Sequence, residues 1–239
     1  MKRTTFLVSL ACITFLLLSP RLAPAYEGIS VKDGGTISGV VKFQGHVPPP
    51  RRLQITKDVQ VCGKTPKYDQ SLVVSAGDIR YAVVSLKGIQ RGKPMEPTEV
   101  VLDQQGCQYH PEVLAFPVGS TIKILNQDGV LHNIHSYSVK NTPFNMAQPA
   151  FRKSMTVKIK YPETINIKCD VHAWMNGWLY AAENPYFSVT DANGRFRITD
   201  VPAGTYTIEV WHETLGKEDK TVTVRANEQV KVDFEMKGK

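Results

Sequence analysis

Apolar and polar positions alternate along most of the chain beyond residue 28. Residues 29–45 (ISVKDGGTISGVVKFQG), 79–88 (IRYAVVSLKG), 120–129 (STIKILNQDG), 153–162 (KSMTVKIKYP) and 164–169 (TINIKC) each carry the pattern. So do 194–200 (GRFRITD), 204–213 (GTYTIEVWHE), 220–226 (KTVTVRA) and 229–236 (QVKVDFEM). A period of two puts successive side chains on opposite faces, so each run predicts a strand with one buried face. Asp33-Gly34-Gly35, Asp128-Gly129, Asn193-Gly194 and Pro202-Ala203-Gly204 supply turns between them. No segment holds an apolar period of 3.6 for three turns, so the expectation is an all-β chain of sandwiches or barrels. PPPRR (48–52) and GKPMEPTE (92–99) read as flexible connections.

The first 25 residues break the pattern. Met1-Lys2-Arg3 is a positive start, TTFLVSLACITFLLLS is an apolar run, and Ala23-Pro24-Ala25 offers small residues for cleavage. This is the plan of a secretory signal peptide cleaved near Ala25. The run is too short to span a bilayer comfortably, so the mature protein is expected to lack a transmembrane span and to be periplasmic or secreted. Lipidation at Cys12 is the weaker alternative, because the apolar run continues past it.

Composition adds two points. With 42% hydrophobic and 21% charged residues, the chain of 239 is globular in type. Cleavage removes Lys2, Arg3 and Arg21, so the net charge falls from +7 to +4. No dense basic stripe appears, and nucleic acid is not an expected partner. Cleavage also leaves three cysteines: Cys62, Cys107 and Cys169. In an oxidising compartment two of three can pair, which leaves the third buried, reactive or bound to something.

The run Cys169-Asp170-Val171-His172-Ala173-Trp174-Met175 spaces a thiol, an imidazole and a thioether as C-x2-H-x2-M. The thiol ends a predicted strand, and the loop that follows can fold the other two around one small volume. Upstream, Asn126-Gln127-Asp128-Gly129-Val130-Leu131-His132-Asn133-Ile134-His135 brings a second imidazole to the start of a strand. One thiolate, two imidazoles and a weak thioether favour copper over magnesium, calcium or manganese, and a His2Cys set with a long axial Met is the blue-copper arrangement. Zinc held by His132, Cys169, His172 and perhaps His135 is the alternative, although zinc gains little from a thioether. His135 is out of phase with His132 and should face solvent. His110 and His46 read as loop or surface residues, and His212 as an edge-strand residue.

Residues 100–182 resemble the cupredoxins, most closely amicyanin within the plastocyanin-like group. The resemblance rests on the C-x2-H-x2-M loop followed by Asn176-Gly177, on N-x5-H-N-[VI]-H at Asn126–His135, and on Val118-Gly119-Ser120-Thr121. It implies one type 1 copper ion held by His132, Cys169, His172 and Met175, with Asn133 tying the ligand strand to the cysteine loop. It also implies a single-electron carrier, with His172 presenting its ring edge at the surface as electron port inside an apolar collar of Ala173 and Trp174. The expected partner is a transient redox protein of cytochrome or dehydrogenase type. With Cys169 given to the metal, Cys62 and Cys107 are left to pair and to staple two parts of the chain together.

Residues 186–236 resemble the carboxypeptidase regulatory-like (transthyretin-like) sandwich through Thr190, Asp191, Gly194, Phe196, Ile198, Val201, Pro202, Ala203, Gly204 and Tyr206. That family's opening strand fits Gly35-Thr36-Ile37-Ser38-Gly39-Val40-Val41, and its next strand fits Ala82–Gly88. The layout expected is a discontinuous sandwich from residues 30–95 and 185–239, with a cupredoxin-like Greek-key sandwich over 98–183 inserted in it. Two domains in series is the competing layout. Copper storage, delivery or sensing without electron transfer, and a structural or interaction role, are the alternative functions. No acid–base pair, nucleophile motif or phosphate loop marks an enzyme.

Overall fold

The computed structural model describes residues 26–238, so the signal peptide expected over residues 1–25 lies outside the described residues. The fold is all-β, and among the described residues the one α-helical turn is Val59–Cys62. No helix among the described residues is long and apolar enough to cross a membrane.

Two sheets built from residues 99–182 face each other. One has the order Ser154–Lys158, Thr121–Asn126, Glu99–Gln105, Gln108–His110, and the other Asn145–Gln148, His132–Tyr137, Glu163–Lys168, Asn176–Ala182, Val113–Pro117. Thr121–Asn126 shows the expected alternation, each second residue buried. Its Ile122 and Ile124 meet Leu102, Ile134, Ile165, Ile167 and Leu179 in one core. The metal-ligand candidates lie at one end of this core.

A second pair of sheets takes strands from both ends of the described chain. Val83–Lys87 lies between Phe187–Val189 and Gly204–His212, with Gly216–Val224 beyond. Gly35–Gln44 pairs with Arg195–Val201 on one side and with Gln229–Lys231 and Phe234–Lys237 on the other. The 229–236 run is thus two strands, broken where the Asp233 carboxylate accepts from the Val40 N–H (3.0 Å). Glycine is required at 39, because a Cβ there would run into the Val232 carbonyl.

The expected assignment of residues 30–95 to the second sandwich needs one correction. Residues 51–69 form a strap closed at its base by an Arg52–Tyr68 bridge and by hydrogen bonds Leu53 N–H to Lys67 O and Asp69 N–H to Arg51 O, both 2.9 Å. Its Ile55, Val61 and Cys62 pack into the core of the first sandwich. Apolar side chains this sparse give no strand or helix period, so nothing local in the sequence separates the strap from the rest of residues 30–95.

Candidate metal centre

Two short pieces of chain deliver the donor atoms. In the first, the Asn126 side-chain amide donates to the carbonyls of Val130 (2.8 Å) and Gln148 (3.1 Å), and its Oδ1 accepts from Asp128 N–H. This holds the turn through Gly129, whose φ of +71° suits glycine, and sets His132 as the first residue of its strand. In the second, the Met175 N–H donates to the His172 carbonyl (2.8 Å) and the Cys169 N–H to the Met175 carbonyl (3.3 Å), folding the C-x2-H-x2-M loop back on itself. Asn133 joins the two pieces. Its Oδ1 accepts from the N–H groups of Asp170 (2.6 Å) and Val171 (3.3 Å), and its own N–H points at Cys169 Sγ (3.5 Å).

The donors converge. His132 Nδ1 lies 3.0 Å from His172 Nδ1, and Cys169 Sγ lies 3.8 Å from that nitrogen. Metal bonds of about 2.0 Å to imidazole and about 2.3 Å to thiolate place donors about 3–4 Å apart around one ion, so the set has the right size. His132 and His172 are fully buried, and Cys169 and Met175 nearly so. Cys169 is a free thiol, while Cys62 and Cys107 are joined in a disulfide.

The outer nitrogens carry carboxylates. His132 Nε2 meets Asp128 Oδ2 at 2.9 Å, and His172 Nε2 meets Asp58 Oδ2 at 2.9 Å. A carboxylate accepts only, so each Nε2 bears the proton and each Nδ1 turns a bare lone pair inward. Two lone pairs 3.0 Å apart beside a thiol require a cation between them, a proton or a metal ion. The pKa shifts express this. Burial works to lower the His132 pKa, but hydrogen bonds to Asp128 and Cys169 outweigh it and lift the value to about 8. Burial works to raise the Cys169 pKa, but hydrogen bonds to His132, His172 and the Asn133 N–H bring it down to about 6. A pocket that keeps a proton on nitrogen and a charge on sulfur is chemically prepared for a soft cation.

The surface position expected for His172 is overturned. Its ring is 0% exposed, because the strap lays Asp58 and Cys62 over the edge that was to face solvent. Trp174 is half-buried, its ring centroid 5.0 Å from that of His172 and its Nε1–H donating to the Cys107 carbonyl (3.0 Å). His135 turns away from the site, its Nδ1 3.1 Å from Asp170 Oδ1. His110 Nε2 meets the Gln105 carbonyl (3.1 Å), away from the ligands. His212, expected on an edge, is buried at the end of its strand, and burial drives its pKa down to about 4. Asp58 and Asp128 were not picked out from the sequence. Asp128 stood in view four residues before His132 but read as a turn former. Asp58 precedes His172 by 114 residues, with no local signal to connect them.

Residues 181–237 match the family model of the carboxypeptidase regulatory-like domain. No curated protein matches the chain by sequence. Among solved structures, a copper-containing nitrite reductase from Thermus scotoductus SA-01 is 24% identical over 38% of this chain and 24% of its own, with a TM-score of 0.34. A purple cupredoxin from Nitrosopumilus maritimus is 22% identical over 36% of this chain and 99% of its own (TM-score 0.30). An amicyanin variant in its Cu(I) state is 17% identical over 35% of this chain and 82% of its own (TM-score 0.32).

Proposed function

We propose that the chain is a periplasmic or secreted single-electron carrier with one type 1 copper ion held by His132, Cys169, His172 and Met175. The observation that carries this reading is the convergence of two bare Nδ1 atoms and one thiol in a buried pocket, each imidazole backed by a carboxylate. A copper ion bound there supplies a one-electron couple. The protein's part is to hold the donors still. Strand pairing fixes His132, the self-closed loop fixes Cys169, His172 and Met175, and Asn133 ties loop to strand. Donors that are fixed beforehand need little rearrangement between two oxidation states, which favours fast outer-sphere transfer.

Burial of all four donors suits a carrier better than a delivery protein, which needs ready exchange, or a catalyst, which needs an open position. In this reading the partner is a redox protein that docks transiently. The copper-binding sandwich is inserted into a second, regulatory-like sandwich that takes strands from both sides of it. One equivalent of Cu(II) added to the metal-free protein should give a strong visible thiolate-to-copper absorption band and a reversible one-electron wave. Cys169→Ser should abolish the band. A colourless wild-type protein that takes up zinc in preference would overturn the reading.

A further inference from the structure

The strap has no place in a plain four-ligand description of the site. Its tip delivers one carboxylate, that of Asp58, to the outer nitrogen of a fully buried ligand-candidate histidine. We propose that Asp58 is a positioning residue that fixes the tautomer and orientation of His172 and, with Asp128, forms an anionic outer shell that biases the copper pair toward Cu(II).

Four observations support this. First, the placement is specific. Asp58 Oδ2 lies 2.9 Å from His172 Nε2, and Asp58 adopts a left-handed backbone (φ 47°) to get there. Non-glycine residues seldom hold that conformation unless their surroundings impose it. Second, the placement is anchored. Four residues on, Cys62 is bonded to Cys107, and its Sγ sits 3.8 Å from the same His172 nitrogen. Third, the other half of that disulfide serves the other histidine. The N–H groups of Cys107 and Gly106 donate to Asp128 (2.8 and 2.5 Å), the carboxylate that holds His132. One covalent bridge therefore organises both outer carboxylates. Fourth, no lysine or arginine forms an ion pair with Asp58 or Asp128 among the described residues; a ring N–H of His172 and of His132 is what meets each carboxylate.

The physical consequence has a definite sign. Two carboxylates beside the imidazoles stabilise the more highly charged oxidation state and increase ligand basicity. Asp58 is about one-third exposed, so water screens part of its charge, whereas Asp128 is nearly buried. The effect of Asp58 alone should therefore be moderate. Its second effect is steric, since the strap occupies in cis the His172 edge that a partner or small anion would otherwise reach.

The inference rests on the copper reading for its redox consequence and on the protein alone for its tautomer consequence. The test uses both. Asp58→Asn keeps the size and tolerates a left-handed backbone, so it removes charge with least disturbance. Asp58→Ala removes the acceptor. In the copper-loaded protein, voltammetry should place the Asp58→Asn midpoint higher by about a tenfold change in the Cu(II)/Cu(I) equilibrium, 59 mV for one electron. The visible band should persist. In the metal-free protein, nitrogen NMR of His172 should show Nε2–H as the single tautomer in the wild type and a mixture in Asp58→Ala. An unchanged midpoint in Asp58→Asn together with an unchanged tautomer in Asp58→Ala would overturn the proposal. Should the wild type show no thiolate-to-copper band, the copper reading fails, and the metal-free NMR result still decides whether Asp58 positions His172.

Discussion

At the level of single residues, the site separates into what local spacing reveals and what it conceals. Cys169, His172 and Met175 lie within one loop of seven residues, and His132 opens a strand whose next residue, Asn133, hydrogen-bonds that loop. Such ligands are legible because their chemistry and their spacing are both local. The inward-facing Nδ1 pair is not legible, because it depends on Asp58 and Asp128 choosing the tautomers. That choice predicts a proton count. At pH 7 the Cys169 thiol, with its pKa at about 6, is mostly ionised, while His132, at about 8, still holds its proton. On the proposed copper reading the ion would have to displace that proton, so binding at pH 7 should release about one proton per ion. The number should approach about two at pH 5, where the thiol is also protonated, and fall toward zero by pH 9. Calorimetry in buffers of different ionisation enthalpy measures it. A release that does not vary with pH would show that the pocket holds no such proton.

Elements were legible where one face meets a core and the other meets water. Thr121–Asn126 alternates and is half buried in register with that alternation. Val83–Lys87 has nearly every residue buried, because Val84 and Leu86 face one core while Val83 and Ser85 face the first sandwich. Val113–Pro117 was not assigned at all, for a related reason: Phe116 enters the first core and Val113 the contact with the second sandwich. Glu99–Gln105 escaped because Val101 is exposed and blurs the period. The strap at 51–69 has no period to find, and one covalent bond ties it to the first sandwich beside its backbone and apolar contacts. Cys62 and Cys107 are 45 residues apart, a loop whose closure contributes about 4 kcal/mol in the chain-entropy account. Replacing both with serine should lower the unfolding free energy of the metal-free protein by about that amount in urea. It should also open residues 51–69 to proteolysis before the rest of the chain. Equal urea midpoints for the two proteins would contradict the staple.

In the whole molecule the two sandwiches meet at a third buried cluster, Val83, Val113, Tyr180, Ala182 and Trp211, which carries polar groups at its edge. Trp178 and Trp211 meet edge to face with ring centroids 5.2 Å apart, Ser85 Oγ and the Tyr180 hydroxyl lie 2.9 Å apart, and the Trp178 Nε1–H donates to Glu213 (2.8 Å). Glu112 is buried beside this contact. Burial, then the nearby charges of Glu213 and Asp69, push its pKa up to about 9 despite a hydrogen bond with Asn176. Burial likewise lifts Glu213 to about 7, against the hydrogen bond from Trp178. Both folded values exceed the ordinary carboxyl value of 4.5, so between those limits the folded state binds more protons than the unfolded state. Stability from these two groups is therefore complete below pH 4.5 and declines as pH rises through about 7 and then about 9. His212 works in the opposite sense. Its folded value of about 4 lies below the ordinary 6.5, so its effect is confined to pH below 6.5. A urea series at pH 5, 7 and 9 should thus show the wild type losing about 2 kcal/mol or more across the range. Glu112→Gln, which cannot ionise, should lose less and should be the more stable protein at pH 9. Parallel pH profiles for the two would mean that Glu112 is solvated and that the contact between the sandwiches is open to water.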